Sequence, residues 1–309
     1  MATATPASPV TPDSPGAAEQ PLRAIALMLG AVFFFSVTDV SAKWLVADYS
    51  VFQLVFLRTL GAAIPIAYLV HRQGGMAALR TRHPWRHLLR GIVGAGAIFG
   101  FFLSFRYLPL AEAYTIFFVS PLIVTALSGP MLGEPVGWRR WAAILVGFIG
   151  VLVILRPGGA VDGIGATICV FATVCYALLM LLIRLLRRTE STATVTISFT
   201  LVMGVLSALA SPFVWVMPSL TDWGLFLFTG FFGGIAQILF IEALGRGSAA
   251  TVAPFDYTSM IWAVLFGYLI WGDIPGWEVV IGATIIAASG LFIIYREQAR
   301  KRGARAAQA

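Results

Sequence analysis

Gly133-Glu134-Pro135-Val136-Gly137-Trp138 recurs 139 residues later as Gly272-Asp273-Ile274-Pro275-Gly276-Trp277. Each hexapeptide closes one long apolar run and opens the next. Glycine and proline both disfavour a helix interior, and an acid between them belongs at a polar chain reversal. Read as terminators, the two hexapeptides leave apolar runs of about 20 residues on either side. That is the length an α-helix needs to cross roughly 30 Å of hydrocarbon.

Working outward gives ten such runs: 23–46, 51–70, 87–106, 110–131, 138–155, 163–186, 194–216, 223–244, 249–271 and 277–295. Turn or charge signals separate them, among them Asp48, Pro109, Arg156-Pro157-Gly158-Gly159, Arg187-Arg188 and Gly245-Arg246-Gly247. Across 309 residues, 59% are hydrophobic and only 11% charged. Mean hydropathy is +0.88. A soluble domain carries about 25% charged residues, so too little polarity remains for an ordinary solvated surface. The expected fold is an all-α integral membrane protein of ten transmembrane helices. Residues 1–21 are rich in Ala, Pro, Ser and Thr and read as an unstructured tail without a signal peptide. Residues 297–309 form a basic tail that is not expected to pack.

Cations orient membrane helices, because cytoplasmic loops retain Lys and Arg. With the N-terminus inside, seventeen of the 21 are counted to cytoplasmic segments, including Arg72, Arg80, Arg82, Arg86 and Arg90 in and around the loop after the second span. Only Arg106 and Arg156 fall outside. The bias predicts both termini in the cytoplasm, and the expected location is the inner membrane. The net charge of +7 then reflects orientation and contact with anionic lipid, not nucleic-acid binding.

The 139-residue offset extends beyond the hexapeptides, pairing Gly91 with Gly230, Gly94 with Gly233, Phe101 with Phe240 and Ser120 with Ser259. It divides the chain into halves at 22–157 and 158–296. Five spans is an odd number, so a second copy enters the membrane upside down. Inverted repeats of this kind are a transporter architecture, with the solute held near midplane.

These features together resemble the EamA-type drug/metabolite transporters. The resemblance rests on the five-plus-five duplication and the Gly-acid motif closing the fourth and ninth spans. It also rests on a polar first span (Ser36-Val37-Thr38-Asp39-Val40-Ser41-Ala42-Lys43), Phe56-Leu57-Arg58 in the second, and Ala113 to Glu134 with Pro121 inside it. Met260 stands where the second half would repeat Pro121. The resemblance implies secondary transport of a small organic solute. Family members move amino acids, S-adenosylmethionine, riboflavin, metallophores and drugs.

A charge within hydrocarbon is costly and usually functional. Asp39 and Lys43, four residues apart, share a helix face. They read either as a mutual ion pair or as part of the cavity wall. Arg58 needs an acidic or carbonyl partner, and Asp39 is the obvious one. A Lys43–Asp39–Arg58 group would carry a net positive charge suited to a carboxylate or phosphate on the solute. Glu112, Gln237 and Asp256 extend the substrate-binding set. Tyr114 and Trp262 are its aromatic members, close in sequence to the polar positions. Asp39, Asp256 and Glu242 are the candidates for proton coupling, with Glu112 behind them. Glu134 and Asp273 read as structural ends of spans.

Other chemistries find little footing. Cys169 and Cys175 lie six residues apart in one apolar run and read as small hydrophobes. His83 and His87 have helical spacing but no acid or cysteine pattern beside them, so no metal site is expected. No Gly-Lys-Ser/Thr phosphate loop occurs, which argues against ATP hydrolysis, and no cofactor is expected. The alternative from another class is a membrane-embedded transferase acting on a lipid or acyl substrate. It would need a nucleophile, a base or metal ligands gathered at one membrane face. A channel or scaffold fits the inverted repeat poorly. The expected partners are therefore a small-molecule substrate and membrane lipid.

Overall fold

The computed structural model describes residues 15–72, 75, 81, 83–132, 137–154, 162–186, 189–246 and 255–306. Among these residues there are helices and no strand, as expected where lipid cannot satisfy exposed backbone groups. The α-helices are α1 (Pro15–Asp48), α2 (Val51–Arg72), α3 (Pro84–Ser104), α4 (Leu110–Phe117), α5 (Ser120–Leu132) and α6 (Trp138–Ile154). There follow α7 (Gly163–Leu186), α8 (Thr192–Ala210), α9 (Leu220–Arg246), α10 (Ser259–Trp271) and α11 (Trp277–Ala306). Seven helical stretches, with α4 and α5 contributing jointly as Leu110–Leu127, are long and apolar enough to cross a membrane. Three shorter apolar helices are Trp141–Ile154, Ser259–Trp271 and Trp277–Ile293. The chain is a multi-pass membrane protein.

Both ends hold more helix than the sequence reading allows. Pro15 opens α1 inside the stretch read as an unstructured tail, and after Gly16 comes helix-forming Ala17-Ala18-Glu19-Gln20. At the other end α11 continues to Ala306 through the basic segment. Glu134 and the rest of its reversal lie outside the described residues. Its counterpart is clear. Gly272 adopts φ +69°, which favours glycine, and caps α10. Its N–H donates to Tyr268 O (3.0 Å), and the N–H of Asp273 donates to Gly267 O (3.1 Å). The Gly-acid motif thus ends the helix with glycine and leaves the acid's side chain free to reach elsewhere.

Two helical runs are interrupted at positions 139 residues apart. α4 breaks at Phe118 and Val119, and the chain preceding α10 breaks at Tyr257 and Thr258, 139 positions on. In the first break Pro121 has no N–H to offer the Phe117 carbonyl. In the second, where no proline stands, hydroxyls intervene: Thr258 Oγ1 donates to Phe255 O and Ser259 Oγ to Asp256 O, both at 2.6 Å. Different residues produce the same interruption.

Close approaches set the helix directions. α1 runs antiparallel to α9: Ala24 and Met28 cluster with Ala243, Phe34 stacks on Phe232, and Tyr49 meets Phe226. α2 runs parallel to α9. They cross where Gly61 faces Leu227 and Gly230, and Gly230 faces the Arg58 carbonyl; a Cβ on either glycine would collide with backbone. α3 lies antiparallel to α7, with Gly96 against Cys175 and Gly100 against Ala172. α6 lies antiparallel to α11, where Gly150 meets Gly282. α2 also packs on α8, and α4 on α10.

One end of the bundle is tied by polar bonds between distant segments. Gln53, fully buried, donates to Val216 O (2.6 Å) and accepts from Val216 N (2.9 Å). Tyr49 Oη donates to Asp222 Oδ2 at 2.7 Å. That bond is the main cause holding the phenol above its ordinary pKa. Arg106 donates to the carbonyl oxygens of Val46 and Tyr49, closing the end of α1.

Candidate functional site

A cavity of about 180 Å³ lies among α1, α2, α3, α4, α7 and α9 and the break before α10. Asp39 and Phe35 face it from α1, Arg58 from α2, and Phe101 and Phe102 from α3. Tyr114, Phe117 and Phe118 come from α4 and its break, Tyr176 from α7, Gln237 and Phe240 from α9, and Asp256 from the second break. The walls are therefore aromatic, with a few polar groups converging, which is the usual make-up of a small-molecule site.

Asp39 is buried and accepts a hydrogen bond from the Tyr114 hydroxyl. Arg58 lies over the Phe102 ring, 5.1 Å from its centroid, and against Gly233, where a side chain would displace the guanidinium. Asp39 and Arg58 interact electrostatically across the cavity without forming a direct ion pair. Among the described residues, neither the Arg58 guanidinium nor the Asp256 carboxylate has a hydrogen-bond partner. Asp256 instead lies close enough to Tyr114, Tyr176 and Tyr257 to act on their hydroxyls. A desolvated guanidinium and carboxylate left open toward a cavity are groups a ligand can complete.

Asp39, Arg58, Tyr114, Gln237 and Asp256 therefore share one wall system, whereas the other selected residues lie elsewhere. Lys43 does not pair with Asp39. Its Nζ reaches Asp273 Oδ2 at 3.4 Å and Leu108 O at 3.3 Å, and sits 4.9 Å from the Trp271 ring centroid. Although Asp39 and Lys43 are one turn apart on α1, the lysine Nζ reaches the capped end of α10 and not Asp39. Asp273 is consequently more than a helix end: it ties the first half to the second. Glu112 belongs to this outlying group, within electrostatic reach of Lys43 and Asp273. Trp262 packs edge-on against Phe33 at 5.0 Å and stacks with Phe266, off the cavity. Glu242 pairs with Arg246 one turn along α9 at 3.0 Å.

Arg90 is the residue that sequence reasoning misplaced. Counted with the loop cations, it lies inside α3, only 2% exposed, and lines the cavity. The signal was available, since an ionisable residue within an apolar span is a default candidate. The neighbouring Arg80, Arg82 and Arg86 masked it. Among the described residues no group of His, Cys, Asp and Glu could hold a metal ion.

Membrane-crossing helices around a cavity with aromatic walls and opposed charges define a solute carrier. The EamA-like transporter family matches residues 22–156 and again 163–296. The chain belongs to the EamA-like transporter family. It is 31% identical over 267 residues to the riboflavin transporter of Rhizobium johnstonii, covering 85% of this chain and 82% of that one. An S-adenosylmethionine uptake transporter of Rickettsia bellii is 27% identical over 263 residues, covering 85% and 90%. The pseudopaline exporter of Pseudomonas aeruginosa is 28% identical over 270 residues, covering 86% and 93%. A solved crystal structure superposes with a TM-score of 0.64 at 22% identity, over 90% of this chain and 98% of that one, and supports the fold. The chain is a small-metabolite transporter, and the transferase reading is not favoured.

Proposed function

We propose that this transporter carries an amphipathic metabolite with a flat ring and a polar periphery, in the range spanned by riboflavin-like, S-adenosylmethionine-like and amino-acid-like solutes. It does so by alternating access of two inverted five-helix halves, residues 22–157 and 158–296. Both termini are cytoplasmic and the membrane is the inner membrane. The observation that carries the reading is the cavity: aromatic walls from both halves, with Asp39, Arg58 and Asp256 turned inward.

Three further features support it. The helix pairs exchange under a swap of halves: α1 with α9 corresponds to α7 with α3, while α2 with α8, α4 with α10, and α6 with α11 are self-partners. The directions read from the close contacts are those expected if α4 and α5 make one crossing and α6, α10 and α11 one each, ten in all. The matched helix breaks put hinge points beside the cavity in both halves. Proton coupling falls to Asp39 and Asp256, the carboxylates on the cavity wall, and Glu242 is set aside because Arg246 neutralises it.

The Lys43–Asp273 pair acts as a latch between halves that must open on one side of the cycle. Cysteines at positions 43 and 273, with Cys169 and Cys175 replaced by Ala, test this. A short bis-methanethiosulfonate cross-linker, which joins the two cysteines through disulfides, is expected to stop nearly all uptake into proteoliposomes, and a reductant to restore it by cleaving them. Full cross-linking with unchanged uptake removes the latch. The reading of function is tested with labelled riboflavin, S-adenosylmethionine and amino acids, with and without an imposed pH gradient. Saturable accumulation of a ring-bearing solute is expected, and its stimulation by the gradient marks coupling. Product formation in detergent, where no gradient exists, would instead favour the transferase.

A further inference from the structure

Arg90 has no role in the site as built around Asp39, yet it is the most thoroughly buried cation among the described residues. Its Nη1 donates to Val195 O at 2.7 Å, and its guanidinium lies 4.7 Å from the Phe199 ring centroid. Its Nε has no hydrogen-bond partner, and among the described residues it forms no ion pair. The nearby acid, Glu190, is occupied: Thr81 Oγ1 donates to it at 2.8 Å, and His87 Nε2 lies 3.9 Å away. Guanidinium groups offer five N–H donors and do not shed their charge in proteins. A buried guanidinium without a counter-charge is expensive to maintain.

Its position gives that expense a use. The cavity wall on α3 runs from Arg90 to Phe102, the ring that Arg58 covers. Twelve residues of helix separate them, about 18 Å at 1.5 Å per residue. The cavity is therefore elongated and has two charged poles. Asp39, Arg58, Tyr114 and Asp256 form one pole. Arg90 forms the other, beyond an aromatic and aliphatic middle that includes Tyr176, Leu179 and Met180.

We propose that Arg90 is a specificity-determining anion anchor at this second pole, so that the transported solute carries a carboxylate or phosphate remote from the groups that Asp39 and Asp256 engage. The proposal rests on the transport reading above and adds the charge and length of the solute. A planar guanidinium matches either oxyanion with paired, charge-assisted hydrogen bonds. The ring of Phe199 packs on the guanidinium and the Val195 carbonyl holds Nη1, leaving other N–H donors for the ligand.

Equilibrium binding to the purified full-length protein tests this with matched probes: riboflavin 5′-phosphate against riboflavin, and indole-3-acetate against indole-3-acetamide. Wild-type protein is expected to favour an anionic member by about tenfold or more. Arg90→Gln abolishes that preference, Arg90→Lys keeps part of it, and Arg58→Gln leaves most of it. A merely structural Arg90 would lower binding of both members of a pair equally, leaving the ratio unchanged. The proposal is overturned by a wild-type protein with no anion preference, or by a preference that survives Arg90→Gln. Should Arg90→Gln fail to fold, Arg90→Lys decides: a several-fold fall in the ratio supports the anchor, and an unchanged ratio overturns it. Uptake by wild-type proteoliposomes stands apart from this ratio, so the failure of either reading is recognisable.

Discussion

Replacing Asp39 with Asn lowers proteoliposome uptake by about tenfold or more, and the loss shrinks when Arg58→Gln is added. The amide keeps the shape of the side chain and removes its charge. Arg58 then faces the cavity without the carboxylate that offsets it. Opposite charges near a protein cavity interact by a few kcal/mol at an effective dielectric of about 20, and each 1.4 kcal/mol is about tenfold. Tyr114→Phe keeps the ring and removes the hydrogen bond to Asp39. Its loss is expected to be smaller, since Asp39 keeps the charge that offsets Arg58. In the double variant the uncompensated cation disappears, so the two losses combine to less than their sum. Initial rates at several solute concentrations, corrected for reconstituted protein, provide the measurement. Wild-type uptake by Asp39→Asn would remove this pole from the site.

The second large effect is mechanical. Gly230→Ala should destabilise the detergent-solubilised protein and abolish most uptake, although position 230 lies outside the cavity wall. A methyl group there collides with the Arg58 carbonyl oxygen, and backbone cannot yield as a side chain does. Forcing apart a packed crossing costs about 1–3 kcal/mol. Here it also displaces the turn that carries Arg58. Gly224, on the same helix with open space around it, is the control. Gly224→Ala should leave the melting temperature and uptake near wild type. Equal melting temperatures for wild type and Gly230→Ala would mean that α2 and α9 are not held as closely as described.

How far the sequence reaches depends on the range of the interaction. Apolar length is local, so the helices could be read directly, but the missing proline at Met260 gave no sign that a break at Tyr257 and Thr258 would match the one at Phe118 and Val119. The rule that charges inside spans have a purpose led to Asp39, Arg58 and Asp256, all on the cavity wall. Lys43 followed the same rule and lies elsewhere, because its partner Asp273 is 230 residues away and spacing on α1 cannot indicate it. Arg90 was hidden by its setting. α3 begins at Pro84, three residues before the span read from hydropathy, so the arginine is a full turn inside the helix. Counting cations by loop cannot separate such a residue from Arg86 beside it. Trp262 is near Asp256 in sequence, but it lies beyond the break at Tyr257 and Thr258 and packs against Phe33 of α1.

The four charges on the cavity wall have a bearing on voltage. Arg58 and Arg90 balance Asp39 and Asp256, so with all four ionised the vacant carrier reorients without moving net charge across the membrane. A neutral or zwitterionic passenger then crosses indifferent to membrane potential. A monoanion does not: an inside-negative potential of 100 mV favours its exit by about 2.3 kcal/mol, a gradient of about fiftyfold. Import of such a passenger needs a co-transported positive charge, and either wall carboxylate could supply it by binding a proton for the inward half of the cycle.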